Sequence, residues 1–157
     1  MMDQVLRPFF YGSAENRLNS KGQVAIPKRF RDVVPQEEAK HGFVLVQGEA
    51  ECIYMYTHRQ FAVIKERVRS VAEAENDPEF LRQFLESSHA VDLDSQGRFV
   101  LPVVLRQAAA IDGPEVLFVG MDDRIEIWSN AKRIAGRGPA EPYEKLRMAA
   151  ARKIFGL

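Results

Sequence analysis

One sixteen-residue pattern occurs twice in this chain, and the duplication constrains the fold more than the composition does. Positions 16–31 read NRLNSKGQVAIPKRFR, and 75 residues later positions 91–106 read VDLDSQGRFVLPVVLR. Five of the sixteen aligned positions are identical: Leu18/Leu93, Ser20/Ser95, Gly22/Gly97, Pro27/Pro102 and Arg31/Arg106. Others keep their character, as in Asn19/Asp94, Val24/Phe99 and Ile26/Leu101. Each copy with its flanks spans roughly 45 residues, which is marginal for an independent core. The copies are therefore expected to fold against each other, or against copies in other subunits. The predicted layout is a first repeat over 9–57, a helical connector pair over 58–87, a second repeat over 88–132 and a helical tail over 133–157.

Within each copy the residue types spell turn, strand, proline, helix. Asn19-Ser20-Lys21-Gly22 has turn chemistry, because glycine accepts a positive φ while Asn and Ser bond their own backbone. Val24-Ala25-Ile26 predicts a short buried strand. Pro27 suits the first position of a helix over 28–34, which Pro35 stops. The second copy repeats this with Asp94-Ser95-Gln96-Gly97, a strand at Phe99-Val100-Leu101, then Pro102 and a helix over 103–110. Upstream, Phe9, Phe10 and Tyr11 predict a strand before Gly12. After each helix comes a predicted hairpin, 42–48 with 52–56 and 116–119 with 125–128. Their offset of 72 places a three-residue loss in the second helix-to-strand loop.

Two helices are predicted between the copies. Thr57 is the N-cap of the first, whose Phe61, Ile64, Val68 and Val71 recur at three- and four-residue steps. Asp77-Pro78 caps the second, which carries Phe80, Leu81, Phe84 and Leu85 on one face. These stripes can bury on the sheet or on another subunit. Ser129 caps a further helix, Gly136-Arg137-Gly138-Pro139 breaks it, and 141–155 read as a terminal helix.

The chain is neutral, with 22 basic against 22 acidic residues, so it is no uniformly basic nucleic-acid coat. The charge is distributed unevenly, however. The first sixteen-residue window carries Arg17, Lys21, Lys28, Arg29 and Arg31 and no acid, whereas the second balances Asp92 and Asp94 with Arg98 and Arg106. Phosphate binding needs such cations, because it is driven by counterion release. Lys21 on the turn and Lys28, Arg29 and Arg31 on the helix would track a DNA backbone, and Gln23 could bond an adenine edge in the major groove. Asp94 and Arg98, four apart across the turn, can pair; in the first copy both partners have changed together to the neutral amides Asn19 and Gln23. That joint change is expected if the side chains touch.

An enzyme reading finds little support. His41, His58 and His89 lack metal-ligand spacing, and no phosphate-binding glycine loop appears. No cofactor, metal or small-molecule substrate is expected. The single Cys52, in the apolar run CIYMY, reads as a small buried thiol and fits a reducing cytoplasm. No apolar run reaches the ~20 residues that span a bilayer, and the first ten residues read as too polar for a signal peptide.

The stretch SKGQVAIPKRFR resembles the DNA-binding segment of the AbrB-like, swapped-hairpin family of transcription factors and related antitoxins. The resemblance covers roughly Phe9 to Arg133, and the duplication, with the Asp-x-x-x-Arg motif of the second copy and the helical connector, makes it specific. It implies two swapped-hairpin repeats forming one compact pseudo-symmetric β-barrel with flanking helices, an α+β and mainly β fold. It also implies a ring-shaped, octamer-like homo-oligomer on the bacterial nucleoid. Double-stranded DNA is then the partner, as short direct repeats upstream of the division and cell-wall genes, and the expected sense is repression. Arg17, Lys21, Gly22, Gln23, Lys28, Arg29 and Arg31 are the candidate contacts, with Asp94 and Arg98 structural or a second contact. Two-copy members usually carry Asp-x-x-x-Arg twice; here the first copy has Asn19 and Gln23 instead. The competing reading is an antitoxin-like module that binds a partner protein.

Overall fold

A computed structural model describes residues 9–136, 147–148, 150–151 and 153–156. In chain order the elements are β1 (Ser13–Arg17), β2 (Gln23–Ala25), α1 (Lys28–Arg31), α2 (Gln36–Ala39), β3 (Phe43–Gln47), β4 (Ile53–Thr57), α3 (His58–Ala74), α4 (Pro78–Glu86), β5 (His89–Val91), β6 (Arg98–Val100), α5 (Val103–Ala108), β7 (Glu115–Gly120), β8 (Ile125–Ser129) and α6 (Asn130–Gly136).

The two copies exchange strands. A six-stranded antiparallel sheet runs β1-β7-β8-β4-β3-β5, and β2 pairs with β6 in a separate ribbon. Thus β1 of the first copy lies on the hairpin of the second, and β5 of the second lies on the hairpin of the first. Exchanging the copies leaves the order unchanged. The register repeats as well, since Asn16 opposite Val116 is matched by Val91 opposite Phe43. This pairing makes Phe43 the counterpart of Val116, 73 residues on, while Ile53 and Ile125 are 72 apart. The expected three-residue loss in one loop is corrected accordingly: two residues go before the strand and one from the hairpin turn.

The described strands do not form the closed barrel that was expected. The turns after Leu18 and Leu93 lead the chain out of the sheet, so the ribbon strands hydrogen-bond each other and the sheet keeps two edges. One core fills the space between sheet and ribbon. Phe43, Leu45, Ile53, Met55, Val116, Phe118, Ile125 and Ile127 meet Leu18, Val24, Ile26, Phe30, Phe99, Leu101 and Leu105 there.

The helical connector explains why β3 is apolar on both faces. Phe43 and Leu45 point into that core, whereas Val44 and Val46 point the other way and join Tyr56 under Phe61, Ile64 and Phe84. Phe61 and Phe84 stack with centroids 5.8 Å apart, clamping α3 to α4. Part of each stripe therefore buries on the sheet, while Val71, Phe80 and Leu85 of the expected stripes remain exposed. The capping expectations hold. Thr57 and Gln60 form a reciprocal capping box, and Asp77 Oδ1 accepts from the Phe80 N–H at 3.1 Å.

Several expectations are corrected. The first strand begins after Gly12, and Phe10 makes only an isolated bridge to Asp122. Helix α1 is one turn that ends at Arg31, short of the expected 34, and Pro35 is the N-cap of the unforeseen turn α2. Helix α5 stops at Ala108. Of the predicted lead-in, 1–8 lie outside the described residues, as do 137–139 of the predicted hinge. Of the terminal helix, 147–148, 150–151 and 153–155 are helical; 141–146, 149 and 152 lie outside.

Candidate nucleic-acid interface

The β2–β6 ribbon is short, three paired residues per strand, because only four residues separate each turn glycine from a proline. Val24 opposite Phe99 points inward, both 1% exposed. Alternation then puts Gln23, Ala25, Arg98 and Val100 on the outer face. The Leu101 N–H donates to the Gly22 carbonyl and the Ile26 N–H to the Gly97 carbonyl, each at 2.9 Å. Each turn thus abuts the strand end, and so the helix start, of the other copy.

The two turns share one backbone shape. The Gly22 N–H donates to the Asn19 carbonyl and the Gly97 N–H to the Asp94 carbonyl, both at 3.0 Å. Gly22 and Gly97 have φ of 76° and 74°, a region that favours glycine. Asn19 Oδ1 accepts from the backbone N–H of Lys21 (3.0 Å) and Gln23 (2.9 Å); Asp94 Oδ1 accepts from Gln96 (2.8 Å) and Arg98 (2.9 Å). The expected side-chain contacts are present in both copies. Asn19 Nδ2 donates to Gln23 Oε1 at 3.0 Å, and Arg98 Nε donates to Asp94 Oδ2 at 2.8 Å. The Arg98 backbone N–H, then its guanidinium, hold the Asp94 carboxyl below its ordinary value.

The strand exchange disperses the five cations that the sequence groups together. Lys21 stands exposed at the first turn with no partner among the described residues. Lys28, Arg29 and Arg31 follow Pro27 at the other end of the ribbon, beside the second turn. Arg31 Nη1 donates to the Gln96 carbonyl at 3.1 Å and its side chain lies against Gly97. Arg29 Nη1 donates to the Ser13 carbonyl at 3.1 Å, with its guanidinium 5.8 Å from the Phe30 ring centre. These acceptors are neutral carbonyls, so neither contact pairs the guanidinium with a carboxylate. Arg17 pairs with Glu115 at 2.9 Å and Lys28 with Asp32 at 2.6 Å; all four side chains are exposed, so either bond opens at little cost. The positions of Lys28 and Arg29 are taken in the second copy by Val103 and Val104, 64% and 66% exposed.

Two features escaped the sequence reading. Asn16 Nδ2 donates to the Ala25 carbonyl at 2.8 Å, tying β1 to the ribbon; Val91 occupies the equivalent place in the second copy and has no such donor. Glu126, 7% exposed, accepts from Arg124 Nη2 at 2.8 Å and Trp128 Nε1 at 3.1 Å, while Arg124 lies 4.3 Å over the Tyr54 ring. The alternate spacing 124, 126, 128, running from the turn into β8, is the signal that could have found them. Nearby Cys52 is buried, which pushes its thiol up to about 12 and keeps it protonated.

Comparison with known proteins identifies relatives of the chain. A family model described as "MraZ protein, putative antitoxin-like" matches residues 84–132. Proteins named transcriptional regulator MraZ resemble the chain over most of their length. The one from Syntrophomonas wolfei subsp. wolfei is 37% identical over 124 residues, 78% of this chain and 82% of the relative. Those from Alkaliphilus oremlandii and Natranaerobius thermophilus are 31% and 35% identical over the same shares.

Proposed function

The chain belongs to the MraZ family, and on that premise we propose that it is a sequence-specific DNA-binding transcriptional regulator. One observation carries the reading: an outward ribbon face, framed by two glycine turns of matching shape, bears Gln23 and Arg98 and is flanked by Lys21, Arg29 and Arg31, whose charges no carboxylate compensates. Cations without carboxylate partners can exchange counterions for phosphates at no cost in broken ion pairs. Arg17 and Lys28 join by releasing Glu115 and Asp32. Gly22 lets the first turn approach the duplex closely.

In this reading the open sheet and its ribbon are built by two AbrB-like swapped-hairpin repeats, 9–57 and 88–132, joined by the helical connector. The protein acts as a ring-shaped homo-oligomer on short direct repeats upstream of division and cell-wall genes, as a repressor on the cytoplasmic nucleoid. One small face binds weakly, and several faces held together raise effective concentration. The exposed Val71, Phe80 and Leu85 on the connector supply apolar surface for assembly. Among the described residues no helix is long and apolar enough to cross a membrane.

Exposed Val100, Val103 and Val104 favour a second reading, in which the second copy docks a partner protein as an antitoxin-like module does. Gel-shift titration of short fragments from the protein's own upstream region, with size-exclusion chromatography of the same sample, separates the two. Retarded, sequence-dependent complexes of an oligomer support the regulator; no retardation of any fragment contradicts it.

A further inference from the structure

We infer that the Asn19–Gln23 pair sets base choice, with Gln23 selecting adenine where an ionic pair of the second copy's kind would select guanine. This rests on the DNA-binding reading above and names what the first turn recognises. The hydrogen bonds fix both amide orientations. Asn19 Oδ1 is committed to the backbone N–H groups of Lys21 and Gln23, and only the oxygen can accept them. Its other end is therefore Nδ2, a donor, and the Gln23 atom 3.0 Å away is the acceptor Oε1. Gln23 is left with both N–H groups of Nε2 and one lone pair on Oε1. Its free end presents a donor beside an acceptor.

That is the complement of the adenine edge in the major groove, where N7 accepts and N6 donates. Arg98 is held by the same turn through Nε, which leaves its two Nη groups, donors only, to bond elsewhere. Donors alone complement guanine, whose N7 and O6 both accept. Asn19 also removes a rotamer choice from Gln23, so a single amide arrangement meets the base. Because Asn19 and Gln23 replace a carboxylate and a guanidinium together, the recognised base changes while the charge of the turn does not.

The test uses the full chain and duplexes from its own upstream region, each with one base pair altered. Wild type favours A·T at one position of each repeat. The double variant Asn19→Asp/Gln23→Arg moves the preference at that position to G·C by about 10-fold, with an unchanged salt slope because one charge of each sign is added. Gln23→Ala, a truncation on the exposed face, flattens the preference there and guards against a double variant that does not fold. Wild-type base choice retained by either folded variant overturns the inference and leaves DNA binding standing. Failure of wild type to bind any duplex overturns both.

Discussion

Arg31 Nη1 donates to the Gln96 carbonyl oxygen at 3.1 Å, so a guanidinium from the first copy lies across the turn of the second. The relation is not returned. Arg106 is the repeat counterpart of Arg31, yet nothing lies within 4 Å of where a Cβ on Gly22 would stand. The second turn is clamped by its neighbour and the first is open, although their backbones agree.

This asymmetry separates two glycine substitutions. Gly22→Ala meets only the left-handed backbone cost, about 1–2 kcal/mol. Gly97→Ala meets the same cost and must also displace Arg31. Thermal melting is expected to show the larger loss for Gly97→Ala, and Arg31→Ala should reduce that excess. Equal losses for the two glycines would contradict the clamp.

The two turns also differ in their response to acid. Asp94 is held below its ordinary value by Arg98, so its stabilising contribution is full above the unfolded-state value and fades as pH falls through the lower folded one. Asn19 does not titrate. Below about pH 4, the amide hydrogens of Gln96 and Arg98 should lose protection relative to those of Lys21 and Gln23. Parallel loss in both turns would contradict the assignment.

The side-chain contact across the second turn predicts coupling. Asp94→Asn and Arg98→Gln should each lower the melting temperature, and the double variant should lose less than the two added, because it restores the amide pair seen at Asn19 and Gln23. Strict additivity would remove the contact.

The cores beneath and above β3 should differ in weight. Phe99→Ala, in the core closed by the ribbon, is expected to cost about 3–5 kcal/mol. Phe84→Ala, half-buried under the stack with Phe61, should cost less and loosen α4 before the sheet. Chemical denaturation followed by near-ultraviolet dichroism distinguishes them.

Much of this is legible in the sequence. Glycine, proline and Asn/Asp punctuate each copy so strongly that turn, strand and helix start followed from residue types, and the joint change at 19/23 and 94/98 announced a contact. What was not legible depended on partners far along the chain. Residues 13–17, SAENR, carry no apolar alternation and become a strand only because β7 bonds them. Phe10, more strand-like by type, is drawn into the core as a lone bridge. The five cations read as one patch because sequence hides the exchange that carries α1 to the opposite turn. The clamp of Arg31 on Gly97 could not be foreseen for the same reason.

In the proposed function, cations around the ribbon face, and not cations in general, hold DNA. It is tested most directly by the salt dependence of binding between the full chain and its upstream duplex, for wild type, for Lys21→Ala/Arg29→Ala/Arg31→Ala and for a control, Lys65→Ala/Arg67→Ala, on α3. Wild type is expected to show a steep slope, the triple variant a slope flattened by about 0.9 per lost phosphate contact with weaker binding on every sequence, and the control the wild-type behaviour. A wild-type complex indifferent to salt, or a control as impaired as the triple variant, would contradict it.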